Sequence, residues 1–226
     1  MKSMDDFSEI MDRLLAEDGC PWDRVQTHES LKRYLIEECY EVIDAIDKKS
    51  PEGMCEELGD VLLQVVFHSK LAEKEGLFDF DQVVEGVSKK MVDRHPHVFA
   101  SAKADTPDEV LTNWDEIKKK EKHYKSNKDV LESIPSCLPA LMRAEKLVSK
   151  ADKLTNNKQN PEDIIANIRE ILDNLESSDN VDNEKIKEYI GEILFETVKI
   201  STFFKINPEF VLTNRSEKFI TNFRRV

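Results

Sequence analysis

Glycine is scarce in this 226-residue chain, with 6, and proline numbers only 8. A fold made of short strands and tight turns uses more of both, so long helices are expected and a turn-rich β architecture is disfavoured. Long apolar runs are missing too. The longest, Val61 to Phe67, is interrupted by Gln64 and is far too short to cross a bilayer, so no membrane partner is expected. The first residues, Met1-Lys2-Ser3-Met4-Asp5-Asp6, have neither the basic nor the apolar region of a signal peptide, and a cytoplasmic location is expected. Cys20, Cys39, Cys55 and Cys137 form no C-x-x-C pair and no zinc spacing, and read as free thiols in a reducing compartment. An excess of positive charge is lacking: the formal net charge is -13, which excludes a broad electrostatic footprint for nucleic acid. An anionic nucleotide is still admissible where a metal and local cations reverse the sign within one cleft. Finally, no histidine follows a glutamate by three residues. That argues against a di-iron carboxylate bundle, which needs E-x-x-H on two helices.

What is present is a helical pattern. Hydrophobic residues make up 39% and charged residues 35%, enough for a core beneath a heavily solvated surface. The apolar periodicity predicts helices over about 4–17, 30–49, 51–76, 81–95 and 107–124. Ser30 and Pro51 are taken as start signals, and Gly19, Pro21 and Pro96 as stop signals. The polar stretch 126–139, with Pro135 and Pro139, reads as a linker. Further helices are expected over about 140–154, 161–176, 183–206 and 208–225. The fold class is therefore all-α, with two tandem four-helix units: 1–125, including an extra charged helix, and 140–226.

The second unit is a worn copy of the first. Gly59-Asp60-Val61-Leu62-Leu63-Gln64-Val65-Val66 parallels Gly191-Glu192-Ile193-Leu194-Phe195-Glu196-Thr197-Val198, at an offset of 191 − 59 = 132. The same offset places Glu170 for Glu38, Asp173 for Glu41, Tyr189 for Glu57, Glu192 for Asp60 and Arg169 for Glu37. Asn222 stands where Arg94 stood, and no aromatic residue in 155–160 replaces Trp22. The copy keeps the fold and loses the chemistry.

The chemistry rests on two acidic pairs. Glu38 with Glu41, and Glu57 with Asp60, are each three residues apart, so each pair shares a helix face. Each lies in an apolar stripe, with Leu35, Val42 and Ile46 around the first and Leu58, Val61, Leu62 and Val65 around the second. Most E-x-x-E pairs are a solvated helix face. Four carboxylates on core-facing stripes are costly unless a cation holds them, and an all-oxygen set suits Mg²⁺ or Mn²⁺. Glu37 adjoins the cluster as a catalytic candidate that orients or deprotonates water, with Glu38 beside it. Lys90 and Arg94, four apart on one face, have the spacing of two cations reaching one polyphosphate. Trp22 offers a face for a base. Gly59, inside a helix, points to close approach of another helix or a ligand. His68 shares the helical side of Asp60 and reads equally as facing a nucleotide or as a core histidine. Cys39 and Cys55 read as small core residues, and His95 and His97 as packing or capping residues.

E-x-x-E, fifteen residues, then E-x-x-D resembles the signature of the MazG family of all-α nucleoside triphosphate pyrophosphohydrolases. The flanks carry the same resemblance: Cys20-Pro21-Trp22-Asp23, Gln26-Thr27-His28, the run from Leu58 to Val65, and Arg94-His95-Pro96-His97-Val98-Phe99. The resemblance implies hydrolysis of an NTP to NMP and diphosphate by attack at the α-phosphate. It implies Mg²⁺ on Glu38, Glu41, Glu57 and Asp60, and paired domains that complete the bundle, either the two halves of one chain or two chains in a homodimer. It also suggests house-cleaning of non-standard nucleotides. The alternative is a non-catalytic nucleotide-sensing or partner-binding bundle.

Overall fold

The computed structural model describes residues 3–122, 124–156, 159–177 and 182–223, and among these every regular element is helical. The chain divides into two compact units, 1–118 and 119–226. The N-terminal unit holds α1 (Met4–Leu15), a 3₁₀ turn (Asp23–Val25), α2 (His28–Asp47), α3 (Pro51–Lys74), α4 (Phe80–Arg94) and the one-turn α5 (Pro96–Phe99). The charged helix α6 (Pro107–Glu121) crosses the boundary. The C-terminal unit holds α7 (Asn127–Glu132), α8 (Ala140–Thr155), α9 (Pro161–Glu176), α10 (Asn183–Phe203) and α11 (Pro208–Phe223).

Side-chain caps set the helix starts. Ser3 and Asp6 form a reciprocal capping box at α1, and Asp79 with Gln82 does the same at α4. The start of α2 corrects the sequence reading: Thr27 is the N-cap and Ser30 is its N3 partner, each side chain accepting the other's backbone N–H. Ser50 caps α3 ahead of Pro51. Gly19 lets the chain fold back on α1, whose Leu14 carbonyl accepts from Cys20 N at 2.8 Å. A Cβ at Gly19 would lie 2.3 Å from that oxygen, so only glycine fits.

The two units share a way of ending a long helix. α3 ends with Gly76 at φ 71°, its N–H bonding Glu73 O while Leu77 N–H reaches Ala72 O. α10 ends the same way, with Lys205 at φ 56°, its N–H on Thr202 O and Ile206 N–H on Ser201 O. Both are Schellman caps, and both turn the chain into the next long helix. In each unit two helices pack as a hairpin, α2 with α3 and α9 with α10. One core position corresponds at the offset of 132: Val66 and Val198 are both fully buried.

The N-terminal core lies toward one end of its hairpin. Met11, Leu31, Val66 and Phe67 are buried together, with Phe7, Leu14, Tyr34 and Phe80 packed on them. Burying Met11 or Phe67 contributes about 1.5–3 kcal/mol each. The Lys70 ammonium bridges to Asp12 at 2.9 Å and ties α1 to α3. The other end of the hairpin is not covered, which corrects the expectation of core-facing stripes around the acidic pairs. Tyr40 is 48%, Ile46 54% and Leu58 49% exposed. Cys39 and Cys55 are exposed as well, not core residues. Among the described residues nothing lies within 4 Å of a Cβ built on Gly59, so no described helix approaches it that closely.

The segment 126–139 is more ordered than a polar linker. It carries α7, capped by Ser126 and Asp129, and buries Val130 and Ile134 within the C-terminal unit. These two buried residues belong to the stretch that packs against α8.

Candidate active site

The three-residue connection 48–50, with Lys49 at φ 54°, reverses the chain between α2 and α3 and runs them antiparallel. That register sets Glu38 and Glu41 of α2 against Glu57 of α3. One carboxylate oxygen from each lies within 4.8 Å of the others. Among the described residues, this is the one group of three acidic, His or Cys side chains close enough to hold a metal ion.

The electrostatics show how closely these groups crowd. Burial, then the charge of Asp60, then that of Glu41 raise the Glu38 pKa above the usual carboxylate value. Burial first and Glu41 second raise that of Glu57, with Glu56 and Asp60 adding to it. Glu41 is within hydrogen-bonding reach of both. Asp60 stands outside the trio but inside its field. Carboxylates crowded closely enough to raise a neighbour's pKa have the chemistry of a cation site, and their hard oxygens fit Mg²⁺ or Mn²⁺. Glu37 is exposed, one turn before Glu41 on the same side of α2, at the rim of the cluster.

The remaining candidates are placed differently from one another. Trp22 is half exposed, and its ring meets Tyr34 of α2 edge-on at 5.8 Å. Lys90 is exposed on α4. Arg94 is buried, its guanidinium 5.1 Å from the Trp114 ring centroid of α6. His95 meets the same indole edge-on at 5.0 Å, as a packing residue does. Lys90 and Arg94 thus share a helix face in sequence but not an environment.

Two contacts were not foreseen from sequence. One is the Arg94–Trp114 stack. The other joins His28 and His68, whose Nδ1 atoms lie 2.7 Å apart with rings parallel to within 1°. Neither has a local spacing signal, because the partners come from separate helices.

In the C-terminal unit the corresponding place is an open groove of about 720 Å³ between α9 and α10, lined by Glu170, Glu192 and Glu196 among others. Glu196 Oε1 pairs with Lys199 at 2.5 Å, while its Oε2 is buried and has no hydrogen-bond partner among the described residues. Tyr189 occupies the Glu57 position.

Residues 26–99 match the family model described as the MazG nucleotide pyrophosphohydrolase domain. The chain is 41% identical over 217 residues to the nucleoside triphosphate pyrophosphohydrolase/pyrophosphatase MazG of Thermotoga maritima, covering 96% of this chain and 82% of that protein. It is 37% identical over 230 aligned positions to the nucleoside triphosphate pyrophosphohydrolase of Escherichia coli K12, covering 100% of this chain and 88% of that protein. It is also 45% identical over 219 residues to YabN of Bacillus subtilis, of whose length the match spans 45%.

Proposed function

The chain belongs to the MazG family, and on that premise we propose that it is a Mg²⁺-dependent nucleoside triphosphate pyrophosphohydrolase. The reaction is NTP plus water to NMP plus diphosphate, run at the α2–α3 carboxylates. The observation that carries this reading is the convergence of Glu38, Glu41 and Glu57 oxygens within 4.8 Å. These three would hold the ion, with Asp60 completing the set. The ion supplies positive charge to the triphosphate oxygens and acidifies water. Glu37, at the rim, takes the proton of the attacking water, and Glu38 orients that water as it holds the ion. Lys90 offers a point charge to the leaving diphosphate, and Arg94 adds its charge from beneath Trp114. Trp22 stacks on the base, and a π-face accepts any base, which favours broad specificity and a house-cleaning role in the cytoplasm.

A homodimer fits the exposed apolar residues beside the acidic cluster, Tyr40, Ile46 and Leu58, which a second copy would cover. Residues 1–125 then form the catalytic domain, and the degenerate 140–226 domain serves packing and association. A non-catalytic, nucleotide-sensing reading is favoured only for the C-terminal groove, where Tyr189 replaces a carboxylate.

The test is product analysis with a panel of NTPs and Mg²⁺. NMP and diphosphate should form in equal amounts and disappear in Glu38→Gln and Asp60→Asn. Release of NDP and phosphate, or undiminished turnover by those variants, would remove the reading.

A further inference from the structure

We propose that His28 and His68 form a proton-operated clasp that positions the loop carrying Trp22. Their Nδ1 atoms are 2.7 Å apart. A neutral imidazole carries one N–H and one lone pair, so at that distance one Nδ1 donates and the other accepts. The rings hold opposite tautomers. One ring can gain a proton on Nε2 and still donate through Nδ1. When both rings are imidazolium, two N–H groups face each other at hydrogen-bond distance and the contact is lost.

His28 is the first residue of α2 and His68 lies in the last third of α3, so the pair fastens the start of one helix to the C-terminal part of the other. The loop before α2 is wired to the same turn. Gln26 Nε2 donates to Trp22 O at 2.9 Å, and Ser30 Oγ donates to Gln26 Oε1 at 2.7 Å. Trp22 itself rests against Tyr34, less than two turns further along α2. Release of the first turn of α2 therefore releases Trp22.

The charged neighbours do not offset the second proton. On α2, Glu29 and Lys32 flank His28 and are exposed. On the 3₁₀ turn, Asp23 is half-buried and Arg24 is exposed. On α1, Asp12 is paired with Lys70 of α3, which also holds Glu73. Burial, and after it the charge of His28, lowers the pKa of His68. The clasp is closed at neutral pH and opens on acidification, with the closed-to-open ratio falling about tenfold per pH unit below the midpoint.

The chain has two tryptophans, so Trp114→Phe leaves Trp22 as the single tryptophan in the full-length protein, excited selectively over the four tyrosines. Trp22 emission and anisotropy are followed from pH 8 to 5 without nucleotide, with far-UV circular dichroism recorded alongside. The expected result is a transition with a midpoint below about 6.5, the ordinary histidine value, at constant helicity. His68→Gln and His28→Gln in that background should abolish it. A flat profile in the parent, or the same transition in folded His68→Gln protein, would overturn the proposal. That Trp22 meets the nucleotide rests on the proposed function, so KM is measured separately: it should rise on acidification in the parent and less in His68→Gln. Because the fluorescence arm contains no nucleotide, its failure is distinguishable from failure of the pyrophosphohydrolase reading.

Discussion

Replacing Glu38 by Gln removes one of three converging carboxylates while keeping the side chain's shape. Its consequence can be followed through thermal unfolding with and without Mg²⁺. A ligand that binds only the folded state at a hundred times its Kd stabilises by about 2.7 kcal/mol. For a chain of this size that is a rise in Tm of about 5–11 °C. If the loss of one of the three converging ligands weakens the ion about a hundredfold, the same Mg²⁺ concentration yields only about 0.4 kcal/mol, a rise of about 1–2 °C. The metal-free proteins should differ in the opposite sense. The fold raises the proton affinity of Glu38, through burial, then Asp60 and Glu41, above that of the unfolded chain. The folded state therefore binds more protons, and this contribution to stability grows as pH falls from neutral through the raised pKa and then levels off. Glu38→Gln removes that penalty, so the metal-free variant should melt slightly above the parent at pH 7. Protons compete with the ion, so the parent's Mg²⁺-induced rise should shrink on acidification. A variant that keeps the full Mg²⁺-induced rise would refute the reasoning.

Three further outcomes are expected. Lys90→Ala should lower kcat/KM for NTPs by about ten- to a hundredfold, the worth of one charge-assisted contact, with an unchanged Tm in steady-state and thermal assays. Trp114→Ala should loosen α6, losing about 0.5–2 kcal/mol of cation–π attraction to Arg94, and tryptic cleavage at Lys118, Lys119 and Lys120 should accelerate. Glu192→Gln, in the α9–α10 groove, should leave both diphosphate release and the Mg²⁺-induced Tm rise unchanged.

Much of this molecule is legible in its sequence because helices leave local marks. Pro51 and Pro161 open helices where expected, and the acidic pairs at i and i+3 fall on one face by geometry alone. The offset of 132 that aligns Asp60 with Glu192 also aligns buried Val66 with buried Val198. What was not legible depends on what lies opposite a helix. Periodicity places Ile46 on the stripe of α2 and Leu58 on that of α3 but not what covers them, and among the described residues both stay about half exposed. Ser30 and Thr27 are equally good caps by type, and the reciprocal bond decides between them. Lys90 and Arg94 look equivalent until Trp114 arrives from α6. His28 and His68 are forty residues apart and meet only because the hairpin register brings them together.

The central claim is that a divalent cation sits among α2 and α3 carboxylates of the N-terminal unit. Anomalous diffraction from crystals soaked in Mn²⁺ tests it most directly. The account predicts a peak coordinated by Glu38, Glu41 and Glu57, with Asp60 within reach. A peak in the α9–α10 groove instead, with none between α2 and α3, would contradict it.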